Sequence, residues 1–202
     1  IIESMNDMSK QHELGDIDVK IDVSKFQGAY QEMVTGINKM VFDHISVKKR
    51  AMGIFKEFGE GNFEANIDKL PGKKAFINEI IDQVRLNLKA LISDAGKLAD
   101  AAVKGQLATR ADATKHKGEF RKIVEGVNAT LDAVITPLNV AADYVDKISK
   151  GIIPPKITES YNGDFNTIKN NLNLLIDSES LLTNVASSLS IGNTEVRIEM
   201  RS

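Results

Sequence analysis

The sequence contains no cysteine and no tryptophan, and aromatic residues make up only 5% of its 202 positions. Without cysteine, the chain has no disulfide and no thiolate for metal binding or nucleophilic catalysis. The small number of aromatic side chains favours a narrow aliphatic bundle over a thick globular core. Only 4 prolines and 14 glycines are present, whereas 42% of the residues are hydrophobic. This composition indicates a folded chain, not a disordered tail.

A large charge of one sign and long apolar runs are also missing. The 26 basic and 28 acidic residues give a net charge of −2, which lends no electrostatic support to nucleic-acid binding. The uncharged runs are shorter than the roughly 20 residues needed to cross a bilayer. We therefore expect membrane contact only through parts outside this chain, if at all. Ile1-Ile2-Glu3 has no initiator methionine and no signal-peptide pattern, which indicates the middle of a longer protein.

A repeat runs through the whole sequence and is marked by five glycines spaced 46, 44, 46 and 41 residues apart. These first glycines of the repeat are Gly15, Gly61, Gly105, Gly151 and Gly192. About two turns with apolar residues at helical spacing precede each of them. The apolar residues seven positions before the glycine, which we predict to lie in a helical core, are Met8, Ile54, Leu98, Tyr144 and Val185.

An extended, mostly polar connector follows each first glycine and carries two apolar residues, which we call the first and second pegs. The first pegs, two residues after the glycine, are Ile17, Phe63, Leu107 and Ile153. The second pegs, six residues after it, are Ile21, Ile67, Ala111 and Ile157. The fifth copy has Thr194 and Ile198 at these positions. Apolar side chains in a polar segment are expected to be buried against another element.

A second glycine ends each of the four complete connectors, namely Gly28, Gly72, Gly118 and Gly163. The apolar residues five and nine positions after it, which we predict to lie in a bundle core, are Met33, Ile37, Ile77, Ile81, Ile123, Val127, Ile168 and Leu172. The residues ten positions after it are Asn38, Asp82, Asn128 and Asn173. Twelve positions after the second glycine lie Met40, Val84, Thr130 and Leu175. The offsets of four and then three residues, from position five to nine to twelve, are typical of a coiled-coil seam.

The repeating unit is therefore predicted to be helix, connector, helix, and its second helix continues into the first helix of the next unit. We assign four complete units to residues 1–46, 47–89, 90–136 and 137–178, and a partial fifth to residues 179–202. Pro137 is expected near the start of a helix, where a missing amide is tolerated.

A second copy of the chain is needed to bury these helices. Each helix has one narrow apolar stripe, and such short helices are marginally stable alone. Two chains together supply four helices around one core. Because the connector makes the two helices of a unit run in the same direction, the predicted fold is all-α: parallel four-helix coiled-coil bundles formed by a homodimer and stacked end to end into a rod.

The residues resemble HAMP domains, the relay modules of sensory receptors, over essentially the whole chain. The resemblance is closest to HAMP arrays of soluble, PAS-containing aerotaxis-type chemoreceptors. The segments typical of such arrays are Met8–Gly15, Phe58–Lys74, Arg110–Asn128 and Tyr144–Asn173. Many HAMP domains have an acidic pair just before the second glycine. This chain departs from that pattern, with Glu119 and Asp164 after the glycine instead.

The resemblance implies a cytoplasmic, non-catalytic relay without a cofactor. Its partners would be sensor and output domains of the same full-length chain, with a histidine kinase and an adaptor downstream. The implied mechanism is a switch between two helix-packing states of similar energy, passed from unit to unit through continuous helices.

Other chemistry has weaker support in the sequence. Lys73-Lys74 follow a glycine but lack the rest of a phosphate-binding loop. Asp16, Asp18 and Asp22 lack the glycine and glutamate of a calcium loop. His12, His44 and His116 lie in different units without metal-ligand spacing, so we expect surface or seam histidines and no metal site. The alternative function is an amphipathic helical binding or lipid-interacting protein, monomeric or antiparallel.

Overall fold

The structure, a computed structural model, describes residues 1–195, and these contain helices and no strands. The prediction of an all-α chain is therefore confirmed. The five α-helices are α1 (Ile2–Glu13), α2 (Ala29–Gly59), α3 (Phe76–Val103), α4 (Gly118–Ser149) and α5 (Gly163–Ser190). Short turns of 3-10 helix lie in the connectors at Val23–Lys25, Gly72–Ala75 and Ala113–Lys115. The apolar position of the fifth copy at Ile198 lies outside the described residues.

Each of the first glycines ends a helix with the same pair of hydrogen bonds. At the end of α2, the N–H of Asn62 donates to the carbonyl of Glu57 (2.9 Å) and the N–H of Gly61 donates to the carbonyl of Phe58 (3.1 Å). These bonds satisfy carbonyls that a helix end otherwise leaves without a partner. Gly61 has φ +87°, a left-handed conformation that favours glycine. The same pair of bonds recurs at Gly15, Gly105, Gly151 and Gly192.

The second glycines start the following helix or helical turn with φ values between +54° and +57°. Gly28 combines φ +55° with ψ −139°, a region of backbone conformation that side chains exclude. A Cβ atom built on Gly28 would meet nothing within 4 Å. The backbone conformation, and not a lack of space, therefore requires glycine at this position.

The four long helices are 28 to 32 residues long, so each joins the second helix of one predicted unit to the first helix of the next. The predicted unit boundaries fall inside these helices and stay predictions. Pro137 lies in the interior of α4, so the expectation of a helix start there was wrong. Because proline has no N–H, the carbonyl of Ala133 lacks its usual helical donor.

The chain divides into two compact regions, one of residues 1–94 and the other beginning at Ala95. The first region has two apolar clusters. The larger contains Val47, Ala51, Ile54, Phe58, Ile67, Leu70 and Ile81, and the smaller contains Met8, Ile21 and Val34. In the second region the buried apolar residues are Ala101, Val124, Ile135, Ile157, Leu172, Ile176 and Val185. None of the helices described here is long and apolar enough to span a bilayer.

Candidate functional site

The connectors are the candidate site, because they are where one helix is fixed to the next. Their second pegs are the most deeply buried: Ile21, Ile67 and Ile157 retain only 4 to 6% of their exposure, and Ala111 is half-buried. The first pegs are less enclosed. Ile17 and Leu107 are exposed, whereas Phe63 and Ile153 are half-buried. The second peg is therefore the point at which each connector is anchored.

An asparagine on the following helix holds the backbone of the second peg. In the fourth unit, the N–H of Ile157 donates to Oδ1 of Asn173 (2.8 Å), and Nδ2 of Asn173 donates to the carbonyl of Ile157 (3.0 Å). Ile21 makes the same two bonds with Asn38 in the first unit, at 3.0 and 2.8 Å. We call this paired contact the amide clamp.

The third unit has the same amide clamp, between Ala111 and Asn128, with bonds of 3.0 and 2.8 Å. A side-chain amide carries both a donor and an acceptor, so it can satisfy both backbone groups of one residue. A peptide group held beside an apolar cluster would otherwise lose its water partners at a cost of about 1–3 kcal/mol. The clamp therefore allows the second peg to be buried.

The second unit has no amide clamp, because the aligned residue is Asp82, whose carboxylate only accepts hydrogen bonds. Two other asparagines take over the backbone amides. The N–H of Ile67 donates to Oδ1 of the neighbouring Asn66 (2.9 Å), and the N–H of Leu70 donates to Oδ1 of Asn78 (3.0 Å). The second connector is thus satisfied by a different set of contacts.

Arg85, one turn after Asp82 on α3, makes the longest-range of these contacts. Its Nη1 donates to Oδ1 of Asp82, and its Nη2 donates to the carbonyl of Ala65 in the connector (2.6 Å). The guanidinium lies 5.6 Å from the ring centroid of Phe58, within the range of a cation–π contact. The side chain of Arg85 is only 15% exposed.

A third buried position in the connector was missed in the sequence. It lies two residues before the second glycine, where Leu70 and His116 are 4% and 5% exposed and Phe26 and Tyr161 are half-buried. We expected His116 to lie either at the surface or in a helix seam, and the surface alternative was wrong. The sequence could have indicated this position, because each of the four complete units has a large ring or hydrocarbon side chain there.

The predicted core residues of the second helices divide into two groups. Ile81 and Leu172 are buried, and Ile37 and Ile77 are half-buried. Met33, Ile123, Val127 and Ile168 remain 37 to 52% exposed. Beside two of these residues, Val34 and Val124 take the buried places at 0% and 4%. The assignment of the exposed group to a bundle core stays a prediction.

The predicted core residues of the first helices are more enclosed. Met8 and Ile54 are buried at 7% and 8%, and Leu98 and Tyr144 are half-buried. The second helices of the first, third and fourth units therefore have an outward apolar stripe that their own chain leaves open, beside a stripe that their own connector covers.

Ion pairs between connector and helix have opposite polarity in the two regions of the chain. In the first region the connector residue is acidic: Asp18 pairs with Lys49 (2.7 Å) and Glu64 with Lys89 (2.5 Å). In the second region the connector residue is basic, with the pairs Arg110–Asp132 (2.6 Å) and Lys156–Asp177 (2.8 Å). The hydrogen bond from Lys89 holds the pKa of the Glu64 carboxyl below its usual range. Exposed pairs of this kind contribute at most about 1 kcal/mol each.

Two aspartates cap the 3-10 turns of the first and third connectors. Asp22 accepts from the N–H and the hydroxyl of Ser24, and Asp112 accepts from the same two groups of Thr114. These bonds, the hydroxyl bond first, lower the pKa of both carboxyls. The turn at Gly72–Ala75, which begins at the second glycine instead of before it, follows Pro71 and has no side-chain cap.

Two of the histidines considered as possible metal ligands, His12 and His44, lie close to backbone carbonyls. Within residues 1–195, no group of three or more His, Asp or Glu side chains is arranged to hold a metal ion. Nε2 of His12 lies 3.1 Å from the carbonyl of Val19, and Nδ1 of His44 lies 2.9 Å from the carbonyl of Met40.

Comparison with known families matches two parts of the repeat. The model of the HAMP domain matches residues 115–180, and that of HAMP N-terminal domain 3 matches residues 47–89. These two segments of the chain therefore belong to the HAMP-domain family. It is also 35% identical over 134 residues to the methyl-accepting chemotaxis protein McpB of Pseudomonas aeruginosa. That match covers 66% of this chain but only 18% of the relative's length.

Proposed function

We propose that this chain is the signal-relay segment of a chemoreceptor, and that it carries conformational changes from a sensor domain to a kinase-controlling output domain. The relationship to a methyl-accepting chemotaxis protein and the two HAMP matches support this role. In this proposal the segment has no catalytic activity of its own. The cytoplasmic location, the kinase and adaptor partners and the resemblance to PAS-containing aerotaxis receptors stay predictions.

The observation that carries the proposal is the open apolar stripe on the second helices. Met33, Ile123 and Ile168 occupy the same place after the second glycine and are 37 to 52% exposed. One connector residue per unit is at the same time fixed to the second helix, so the chain cannot cover this stripe with its own connector. A second copy in parallel orientation supplies the missing partner at these three units.

The relay itself follows from the way the helices are joined. In each of α2 to α5, the second helix of one unit is continuous with the first helix of the next. A rotation or tilt that repacks one bundle therefore changes the packing of the adjacent one. The clamped connectors keep the two helices of a unit in fixed relation during this change. Input at one end biases the balance between two packing states.

The absence of native cysteine makes disulfide cross-linking the direct test. A symmetric parallel dimer brings a seam residue opposite its own copy, and a disulfide forms only when the two Cα atoms lie within about 7 Å. We expect Ile123→Cys and Met33→Cys each to form a covalent dimer on mild oxidation. Lys122→Cys, one residue away on the exposed face of the same helix, is the matched control and is expected to stay uncoupled.

The same experiment separates the alternative function. An antiparallel pair would join Met33→Cys of one chain to a cysteine near the other end of its partner, and neither single variant would cross-link to itself. A monomeric lipid-binding protein would give no covalent dimer and would sediment at 22.2 kDa. Either result would contradict the relay proposal. Self-coupling at both seam positions, with sedimentation at about twice the monomer mass, would support it.

A further inference from the structure

The second connector differs from the other three at two aligned positions, not one. Three residues after the clamping asparagine, the first, third and fourth units have Val41, Leu131 and Ile176, all buried or half-buried. The second unit has Asp82 and Arg85 at the corresponding two positions. A neutral amide with an apolar neighbour is thus replaced by an ion pair.

We propose that Arg85 is the positioning residue of the second connector, holding it to α3 by charge beside the neutral hydrogen bonds of Asn78, so that competing ions loosen this connector more than the other three. This inference rests on the proposed relay function and identifies the second unit as the point where that relay is sensitive to charge.

The contacts of Arg85 support this role. Its guanidinium donates to the connector carbonyl of Ala65 at 2.6 Å while it is paired with Asp82 and backed by the ring of Phe58. The ring of Phe58 in turn lies 5.8 Å from the ring of Phe63, the first peg. One side chain therefore joins α3, the end of α2 and the connector. Lysine has no planar group to make these contacts together.

The same contacts leave Arg85 incompletely satisfied. Its Nε is buried and, within the part of the chain that the structure describes, has no hydrogen-bond partner. Asp82, its charged partner, is 54% exposed, so dissolved ions can reach the pair. The amide clamps contain no charged group. The other three connectors also have ion pairs, but their cations Lys49, Arg110 and Lys156 are 52, 25 and 53% exposed, against 15% for Arg85. Because exposed pairs contribute little, salt should act most strongly on the second connector.

The test is amide hydrogen exchange of the connectors in the full 202-residue chain at low and high sodium chloride. Screening shortens from a Debye length of about 30 Å at 0.01 M to about 3 Å at 1 M. The Ile67 and Leu70 amides donate to Asn66 and Asn78, so they report opening of the second connector as a whole, and we expect their exchange to accelerate several-fold with salt. The amides of Ile21, Ala111 and Ile157, in connectors whose cations are more exposed than Arg85, should respond much less. Equal salt responses in all four connectors would overturn the proposal without any variant.

Two matched variants identify the residue. Arg85→Met removes the charge and keeps a long side chain, and it should abolish the salt response of the second connector. Lys89→Met removes another cation that reaches the same connector through Glu64, and it should leave the response in place. A salt response that survives in Arg85→Met, or that disappears in Lys89→Met, would assign the effect elsewhere.

A swap of both positions tests the idea in the other direction. Asp82→Asn with Arg85→Leu gives the second unit the residue types of the third, and its connector should then lose its salt response while it remains protected. If this double variant fails to fold, Arg85→Lys replaces it. This variant keeps the positive charge but loses the planar guanidinium group. Exchange of the second connector's amides should then be faster but still depend on salt. Salt-independent exchange in the lysine variant would contradict the proposal. All these contacts lie within one chain, so failure of the cross-linking test would not alter this readout.

Discussion

The second and fourth connectors follow the same course by different chemistry. Both bury an isoleucine as the second peg, Ile67 at 6% and Ile157 at 4% exposure. The fourth unit satisfies that residue's backbone with Asn173 alone. In the second unit Asn66 accepts from the N–H of Ile67, Asn78 donates to its carbonyl at 3.4 Å, and Arg85 holds the nearby carbonyl of Ala65. The comparison shows that peg burial and backbone satisfaction are what the repeat requires. The residue that meets the requirement can change from one unit to the next.

The second and fourth units are matched by two different family models. Residues 47–89, which contain the Asp82–Arg85 pair, match HAMP N-terminal domain 3, and residues 115–180, which contain the amide clamp of the fourth unit, match the HAMP domain. The apolar cluster of the second unit, to which Phe58 and Leu70 contribute, is larger than that of the first unit, which has an amide clamp.

The largest expected effect comes from removing what the two connectors share. Ile157→Ala and Ile67→Ala each delete a buried side chain and leave a cavity, which costs about 2–4 kcal/mol of unfolding free energy. Denaturant unfolding at fixed protein concentration measures this loss. Leu107→Ala, at an exposed first peg, is the control and should cost less than about 1 kcal/mol. Equal losses at first and second pegs would show that the second peg is not the anchor.

A smaller effect is expected when the third unit receives the acidic residue of the second unit's ion pair without its arginine. Asn128→Asp removes the donor to the carbonyl of Ala111 and places a carboxylate oxygen against it, while Leu131 at the next turn supplies no cation. We expect a loss of about 1–3 kcal/mol at neutral pH. Acidification should reverse part of it, because a protonated carboxyl regains a donor.

Asp82→Asn is the matched control for this exchange. It removes one charge from an ion pair whose acidic partner is 54% exposed, so the expected loss is under about 1 kcal/mol. Denaturant unfolding of both variants at neutral and acidic pH provides the measurement. A larger loss in Asp82→Asn than in Asn128→Asp would mean that the two connectors are not held by the contacts assigned to them.

The repeat made much of this architecture predictable. Aligning Gly15 with its successors located the helix ends, the pegs and the asparagine column, because positive φ and burial each constrain residue type. The role of Arg85 was not predictable, since a charged residue on a helix usually faces solvent and the pattern cannot show that Phe58 lies beneath it. Val34 and Val124 were missed because a heptad-like seam was expected to have one face, and the connector covers a second one.

The smallest expected effect concerns the caps that the first and third connectors have and the second lacks. Because hydrogen bonds from Thr114 lower the pKa of Asp112 in the folded chain, the carboxylate stabilises the turn above the ordinary carboxyl pKa. That contribution is lost as the pH falls through the lowered value. Asp22 should behave in the same way with Ser24.

NMR titration of the carboxyl carbons should find the pKa values of both aspartates below normal. Thr114→Ala should raise only the pKa of Asp112, since it removes the hydroxyl donor. Hydrogen exchange in the same pH range should show the turns at Val23–Lys25 and Ala113–Lys115 opening on acidification. The uncapped turn at Gly72–Ala75 should not change. An unaltered Asp112 titration in Thr114→Ala would show that the turn geometry, and not the hydroxyl bond, sets the carboxyl's pKa.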